Sequence, residues 1–250
     1  MPKTIIRDFM ERTRWTGSRA TDLGDTDQTK GLPQPPLELG YDGTKRVIEL
    51  PSPKDVKVDA IDLRDAIEKR VSVRSYAEEP ISLEELSWLL WCTQGVKQVT
   101  SMPSTLRTVP SGGARHPFET YLLVNRVEGL SPGLYRFLAI EHKLVELSLD
   151  EDLADEIAEA CWGQPFIKKN AATFIWTFVP YRSIWRYGGR GGRAIMEAGH
   201  ICQNLYLSAE AVRCGVCAIG AFSDERMNTI LGIDTEEQFV IYMATVGRKK

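Results

Sequence analysis

The chain has 250 residues, 43% of them hydrophobic and 26% charged, with a formal net charge of −3. That length supplies ample core for one large domain or two small ones, and the mild acidity excludes bulk binding to nucleic acid or to an anionic membrane surface. No apolar run approaches the roughly 20 residues needed to cross a bilayer. The first eight residues lack a signal-peptide apolar segment, and five scattered cysteines fit reduced thiols, so a cytoplasmic protein is expected.

Residues 1–58 read as an N-terminal extended arm with little core of its own, polar from Gly17 to Gln34 and polyproline-like over Leu32–Leu37. It is expected to lie on the surface or to wrap a partner subunit; a disordered tail is the alternative. A folded domain is expected over 59–250. Ile61, Leu63, Ala66 and Ile67 predict a short amphipathic helix over 59–70. Ser82-Leu83-Glu84-Glu85 is a capping box opening a helix that stops near Gly95. Residues 119–124 form a strand, and 133–137 with 143–149 a hairpin. A helix follows over 150–162, then a strand over 171–179 that is apolar on both faces and therefore central. A long helix spans about 194–213 and ends before Gly215. A strand begins at 216–219, with a short helix at 224–231 and a last strand at 239–246. Hairpins mixed with helices predict an α+β fold around one mixed, mostly antiparallel central sheet flanked by helices.

Five segments carry candidate chemistry. Arg70, Ser72 and Arg74 alternate where a helix gives way to extended chain, so two guanidiniums and a hydroxyl share one face and suit a terminal phosphate; a solvated basic turn is the bland reading. Pro110-Ser111-Gly112-Gly113-Ala114-Arg115-His116-Pro117 is a loop of small residues between prolines, which lets backbone approach a flat or anionic ligand, or simply leads into the next strand. Ile219 and Gly220 leave a strand with little bulk, so backbone there can lie against an aromatic ring. Arg248, Lys249 and Lys250 stand just past the last strand, as a phosphate contact or a solubilising tail. A fifth segment, Trp185–Arg193, is Arg/Gly-rich and reads as a substrate or cofactor loop, in which Tyr187 could transfer a proton and Arg186 could bind an anion or stabilise developing negative charge. Cys214 and Cys217 have C-x-x-C spacing without a second pair, so no metal site is expected. No triad, Walker or dinucleotide fingerprint is present.

In this order the pieces resemble the FMN-dependent nitroreductase family over about residues 59–250. They are most similar to its azoline-dehydrogenase (SagB-type) branch, through Arg-x-Ser-x-Arg at 70–74, Pro-Ser-Gly-Gly-Ala at 110–114, Gly-Leu-Tyr at 133–135, Glu197-Ala198-Gly199-His200 and Gln203-Asn204. The resemblance implies an intertwined homodimer with FMN at the subunit interface. Arg70, Ser72 and Arg74 would hold the phosphate and the pyrimidine side of the ring, with Arg248 closing the phosphate site. Pro110, Ser111 and Gly112 would reach the flavin from the other subunit, and Ile219 and Gly220 would lie beside the ring. It also implies hydride transfer to flavin from a small-molecule or peptide substrate. An NAD(P)H-dependent nitro- or quinone reductase, or a flavin-binding scaffold subunit of a peptide-modifying complex, are the alternatives. One departure stands out. The branch resembles itself in a Lys-Tyr pair where this chain has Arg186-Tyr187, and arginine stays protonated in proteins, so it cannot act as the base a lysine can.

Overall fold

A computed structural model describes residues 4–18 and 23–250. The first three residues, and positions 19–22 of the polar stretch from Gly17 to Gln34, lie outside the described residues.

Seven strands form the central sheet: β1 (Val47–Glu49), β4 (Phe118–Val124), β5 (Gly133–Leu138), β6 (Lys143–Ser148), β7 (Ala172–Phe178), β8 (Cys214–Ile219) and β9 (Phe239–Arg248). Their order is β1-β6-β5-β4-β7-β9-β8, and every ladder is antiparallel. Parallel pairing enters through isolated bridges, Ser72 with Val216 and Ile81 with Val127. A two-stranded hairpin, β2 (Val96–Val99) with β3 (Thr105–Arg107), stands beside the sheet.

Helices cover both faces. On one, α3 (Leu83–Gln94) and α7 (Glu197–Glu210) pack Leu86, Leu89, Leu90, Ile201 and Leu205 against Leu122, Phe174 and Trp176. On the other, α4 (Leu153–Ala160), α5 (Phe166–Lys169) and α8 (Asp224–Leu231) bring Ile157, Ile167 and Met227 against Leu123, Ile175 and Met243. Strand β7 is buried along its whole length, as its apolar run on both faces predicts. The Ser82–Glu85 capping box forms reciprocally at the start of α3.

Several expectations change. Helix α2 (Leu63–Lys69) buries only Ala66, while Leu63 and Ile67 face outward. Trp185–Arg193 is not a loop: α6 (Tyr181–Tyr187) runs directly into 3-10 turns over Gly188–Met196. Those turns take the first residues of the expected long helix, so α7 starts at Glu197. Strand β9 continues through Arg248, which therefore lies within a strand and not past it.

The N-terminal segment packs on its own chain. Helix α1 (Ile5–Arg12) lies over the 3-10 turns, where the Arg193 Nε donates to the Thr13 hydroxyl at 3.2 Å. Further along, the Trp185 Nε1 donates to the Leu32 carbonyl at 3.0 Å, and Gln28 N to the Trp185 carbonyl at 2.9 Å. Around residues 37–40 the contacts are ionic and buried. Glu119 pairs with Arg182, both side chains 3% exposed, and also accepts Leu39 N at 2.9 Å. Arg107 donates to the carbonyl of Leu37, and Arg136 to those of Leu39 and Gly40. Burial pushes the Arg107 guanidinium down to about 10, and burial followed by the Arg107 charge holds His116 down at about 3.

Candidate active site

The candidate residues fall into two groups at opposite ends of α7. The first is laid along the free edge of β8. Arg70 caps α2, and the chain then runs beside β8, with Val73 N donating to the Val216 carbonyl at 2.8 Å. This close approach requires Gly215, since a Cβ there would lie 2.5 Å from Val73 Cγ2. Tyr206, on α7, organises the group. Its ring lies 5.3 Å under the Arg70 guanidinium; its hydroxyl bonds the Ser72 hydroxyl at 3.0 Å and accepts Ala218 N at 2.9 Å. Arg74 is exposed, and its charge reaches Cys217, where it partly offsets the upward shift that burial imposes on the thiol. Neither Arg70 nor Arg74 makes an ion pair among the described residues. Ile219 is 3% exposed, its side chain in the apolar layer with Met227 and Met243, so what it offers outward is backbone. Gly220 is exposed, and a Cβ there would meet only Tyr242, at 3.9 Å.

The second group gathers at the start of α7. Gly113 adopts φ +60°, and a Cβ there would strike the Tyr187 hydroxyl at 2.4 Å and the Arg186 side chain at 2.8 Å, so glycine is needed for the loop to sit against Arg186 and Tyr187. The Arg186 guanidinium lies 5.7 Å over the Tyr187 ring. Arg115 donates to the Gly113 carbonyl at 3.0 Å and stacks 5.3 Å over Trp185. Burial, and then the Arg186 charge, push its guanidinium below the usual range, so this end of the site is electropositive. Glu197 is the carboxylate here: it accepts Gly112 N at 2.8 Å. Burial raises its carboxyl above the ordinary value, while the Gly112 amide and the nearby Ser111 hydroxyl oppose the shift. Pro110 is exposed beside them.

Arg248 joins neither group. Its guanidinium pairs with Glu85 at 2.7 Å and Glu79 at 3.4 Å and donates to the Val212 carbonyl at 2.6 Å, bracing α3 against the sheet. Tyr206 and Gly215 were not visible as site residues in the sequence. Tyr206 reads as one more apolar position of α7, and Gly215 as a helix stop; a glycine facing a β-branched residue across an edge strand is a signal only once the register is known. Among the described residues no cluster of His, Cys, Asp and Glu could hold a metal ion, and no helix is long and apolar enough to cross a membrane.

An α+β sheet with two arginines along one edge that make no ion pair among the described residues, and an Arg–Tyr pair beside a glycine loop, offers donors for an anionic ligand. Residues 67–248 match the nitroreductase family, and the chain belongs to it. A Methanocaldococcus jannaschii protein named as a nitroreductase is 36% identical over 208 residues, covering 83% of this chain and 98% of that one. The trifolitoxin-processing protein TfxB of Rhizobium leguminosarum bv. trifolii is 27% identical over 133 residues, 51% of this chain and 36% of that one. Among solved structures, a protein of Anabaena variabilis named as a nitroreductase superposes with a TM-score of 0.75 at 27% identity, over 98% of this chain and 47% of that one. Two others share the fold at lower identity. One is a chain of the Escherichia coli microcin synthetase McbBCD complex with truncated pro-MccB17 bound, with TM-score 0.60 at 18% identity, covering 97% and 86%. The other is a nitroreductase-named protein of Desulfovibrio desulfuricans in complex with FMN, with TM-score 0.53 at 16% identity, covering 76% and 87%.

Proposed function

We propose that this nitroreductase-family oxidoreductase binds FMN and oxidises azolines in modified peptides by hydride transfer to the flavin, working as a homodimer in which each flavin is shared between subunits. The observation that carries the cofactor reading is the Arg70–Arg74 segment. It presents two guanidiniums without carboxylate partners, and a hydroxyl, along the open edge of β8. That donor set fits an anionic phosphate and the electron-rich pyrimidine edge of a flavin. FMN, when bound, supplies a two-electron carrier that takes hydride from one substrate and passes electrons to another. Arg70 and Arg74 would neutralise its charge, and the backbone of Ile219 and Gly220 would lie by the ring. Arg248 closes the phosphate side only by exchanging Glu79, which is 69% exposed, for the phosphate while its Glu85 pair stays.

The geometry supports sharing. Glu197 and Tyr206 are nine residues apart on one helix, about 13 Å along its axis, so the loop and the arginines of one chain stand at separate ends. A partner's Pro110–Gly112 loop would complete the arginine half-site. Leu63, Ile67 and Val71, 64%, 55% and 57% exposed, form a bare apolar strip beside Arg70 that suits such a contact. On the substrate side, the Tyr187 hydroxyl would move a proton, and Arg186 would hold an anionic group or stabilise developing negative charge. The azoline reading draws on the likeness to the trifolitoxin-processing protein and to the microcin synthetase chain. The fuller match to the Methanocaldococcus jannaschii protein favours a second reading, a reductase fed by NAD(P)H.

Purified protein incubated with FMN and desalted should absorb near ~450 nm and sediment as a dimer; a colourless protein refutes the cofactor reading. Under anaerobic conditions an azoline-bearing peptide should bleach the bound flavin. Bleaching by NADH or NADPH but not by the peptide would select the reductase, and turnover with neither would select the scaffold.

A further inference from the structure

The tip of the 110–117 loop is intrinsically soft. It holds two adjacent glycines, and its own hydrogen bonds are local: Ala114 N to the Ser111 carbonyl at 3.1 Å, Arg115 N to the Gly112 carbonyl at 3.3 Å, and His116 N to the Ser111 hydroxyl at 2.8 Å. The hydrogen-bonded tie from Gly112 to a distant element runs 85 residues along the chain, to the Glu197 carboxylate at 2.8 Å. Ser111 braces the same turn from within, its oxygen accepting from His116 N. A carboxylate in the first turn of a 14-residue helix gains from the helix dipole wherever it points. This one is turned back onto the loop and half-buried, which the dipole alone does not require.

We propose that Glu197 is a positioning residue: its carboxylate latches the Ser111–Gly113 backbone to the start of α7 and holds that loop in the shape that Tyr187 and the flavin meet. Without the latch, what holds Gly112 and Gly113 at the face of Tyr187 is packing on Tyr187 and Arg186 and the bond from Arg115 Nε to the Gly113 carbonyl, none of which engages the Gly112 amide. Glutamine can reproduce the latch, because its amide oxygen accepts Gly112 N; alanine cannot. The link to flavin rests on the function proposed above, whereas the latch itself can be read in flavin-free protein.

Hydrogen–deuterium exchange across 110–116, without flavin, tests the latch. The Gly112 amide should be protected in the unmodified protein and in Glu197→Gln, and should lose that protection in Glu197→Ala. Equal protection in all three, or loss in Glu197→Gln as complete as in Glu197→Ala, overturns it. FMN titration tests the coupling. Removing the hydrogen bond to a carboxylate should raise the FMN Kd about tenfold in Glu197→Ala, with Glu197→Gln within about threefold of the unmodified protein. An unchanged Kd in Glu197→Ala overturns the coupling, and an unmodified protein that takes up no FMN overturns the flavin reading while leaving the exchange result to decide the latch.

Discussion

Gly215→Ala should separate flavin binding from folding. The added Cβ would lie 2.5 Å from Val73 Cγ2, 2.6 Å from Val73 Cβ and 2.9 Å from Val73 Cγ1. Rotating the Val73 side chain moves the methyls but not its Cβ, so the backbone of residue 73 has to retreat. That breaks the bond from Val73 N to the Val216 carbonyl and the Ser72–Val216 bridge. Holding the segment in place would cost about 1–3 kcal/mol of overpacking, whereas letting it lift from the edge strand loses the bond, about 1 kcal/mol. The apo-protein takes the cheaper course. Bringing Arg70, Ser72 and Arg74 back to the flavin then costs the difference, up to about 2 kcal/mol, which is up to roughly a 30-fold rise in FMN Kd. Fluorescence titration gives the Kd, and urea unfolding of the apo-protein should show a smaller loss. Val73→Gly on top of Gly215→Ala removes every atom in the clash, so the double variant should regain most of the affinity, short of about 1 kcal/mol for the freer backbone. A single variant within about threefold of the unmodified Kd, or a double variant no better than the single, would refute the reasoning.

Three further outcomes follow from the same structure. Tyr206→Phe keeps the ring under Arg70 but strips the hydroxyl from Ser72 and Ala218 N, so FMN Kd should rise about tenfold, and Ser72→Ala added to it should contribute little; fully additive effects would show that Tyr206 does not act through Ser72. Glu119→Leu leaves the Arg182 charge buried and Leu39 N without its acceptor, so urea unfolding should report a loss of about 3–5 kcal/mol, and a loss under 1 kcal/mol would refute the clamp. His116 is held at about 3 by burial and then by Arg107, against about 6.5 unfolded. The unfolded chain therefore takes up the proton first, and stability falls as pH drops from 6.5 towards 3. Between pH 7 and pH 5 the unmodified protein should lose about 2 kcal/mol more than His116→Gln, a comparison in which the opposite contribution of Glu38, whose carboxyl burial raises, cancels. Equal losses would sink it.

What was readable in the sequence was local. The capping box at Ser82 and Glu85, the hairpin of β5 and β6, and the doubly apolar β7 follow from neighbouring residues, and each formed as expected. The segment over 185–193 did not, because its glycines favour a loop in isolation. It is helical where Thr13, Gln28 and Leu32 hydrogen-bond to it, partners more than 150 residues away in the chain. The three-residue β1 and the Glu119–Arg182 pair are invisible for the same reason. They exist only after β6 and α6 are in place.

The site shows the same division more sharply. Arg70, Ser72 and Arg74 could be named because alternate residues of an extended chain share a face, and that rule is local. Which side chain would order them could not be named, since Tyr206 lies 134 residues from Ser72. Helix α7 reconciles the two groups. It carries Glu197, which ties the loop, and Tyr206, which holds Arg70 and Ser72, on one rigid rod about 13 Å apart. In the shared-flavin arrangement proposed above, each chain would hold two half-sites at a set separation, with the apolar strip of Leu63, Ile67 and Val71 beside one of them. A second copy covering that strip would then complete two sites at once.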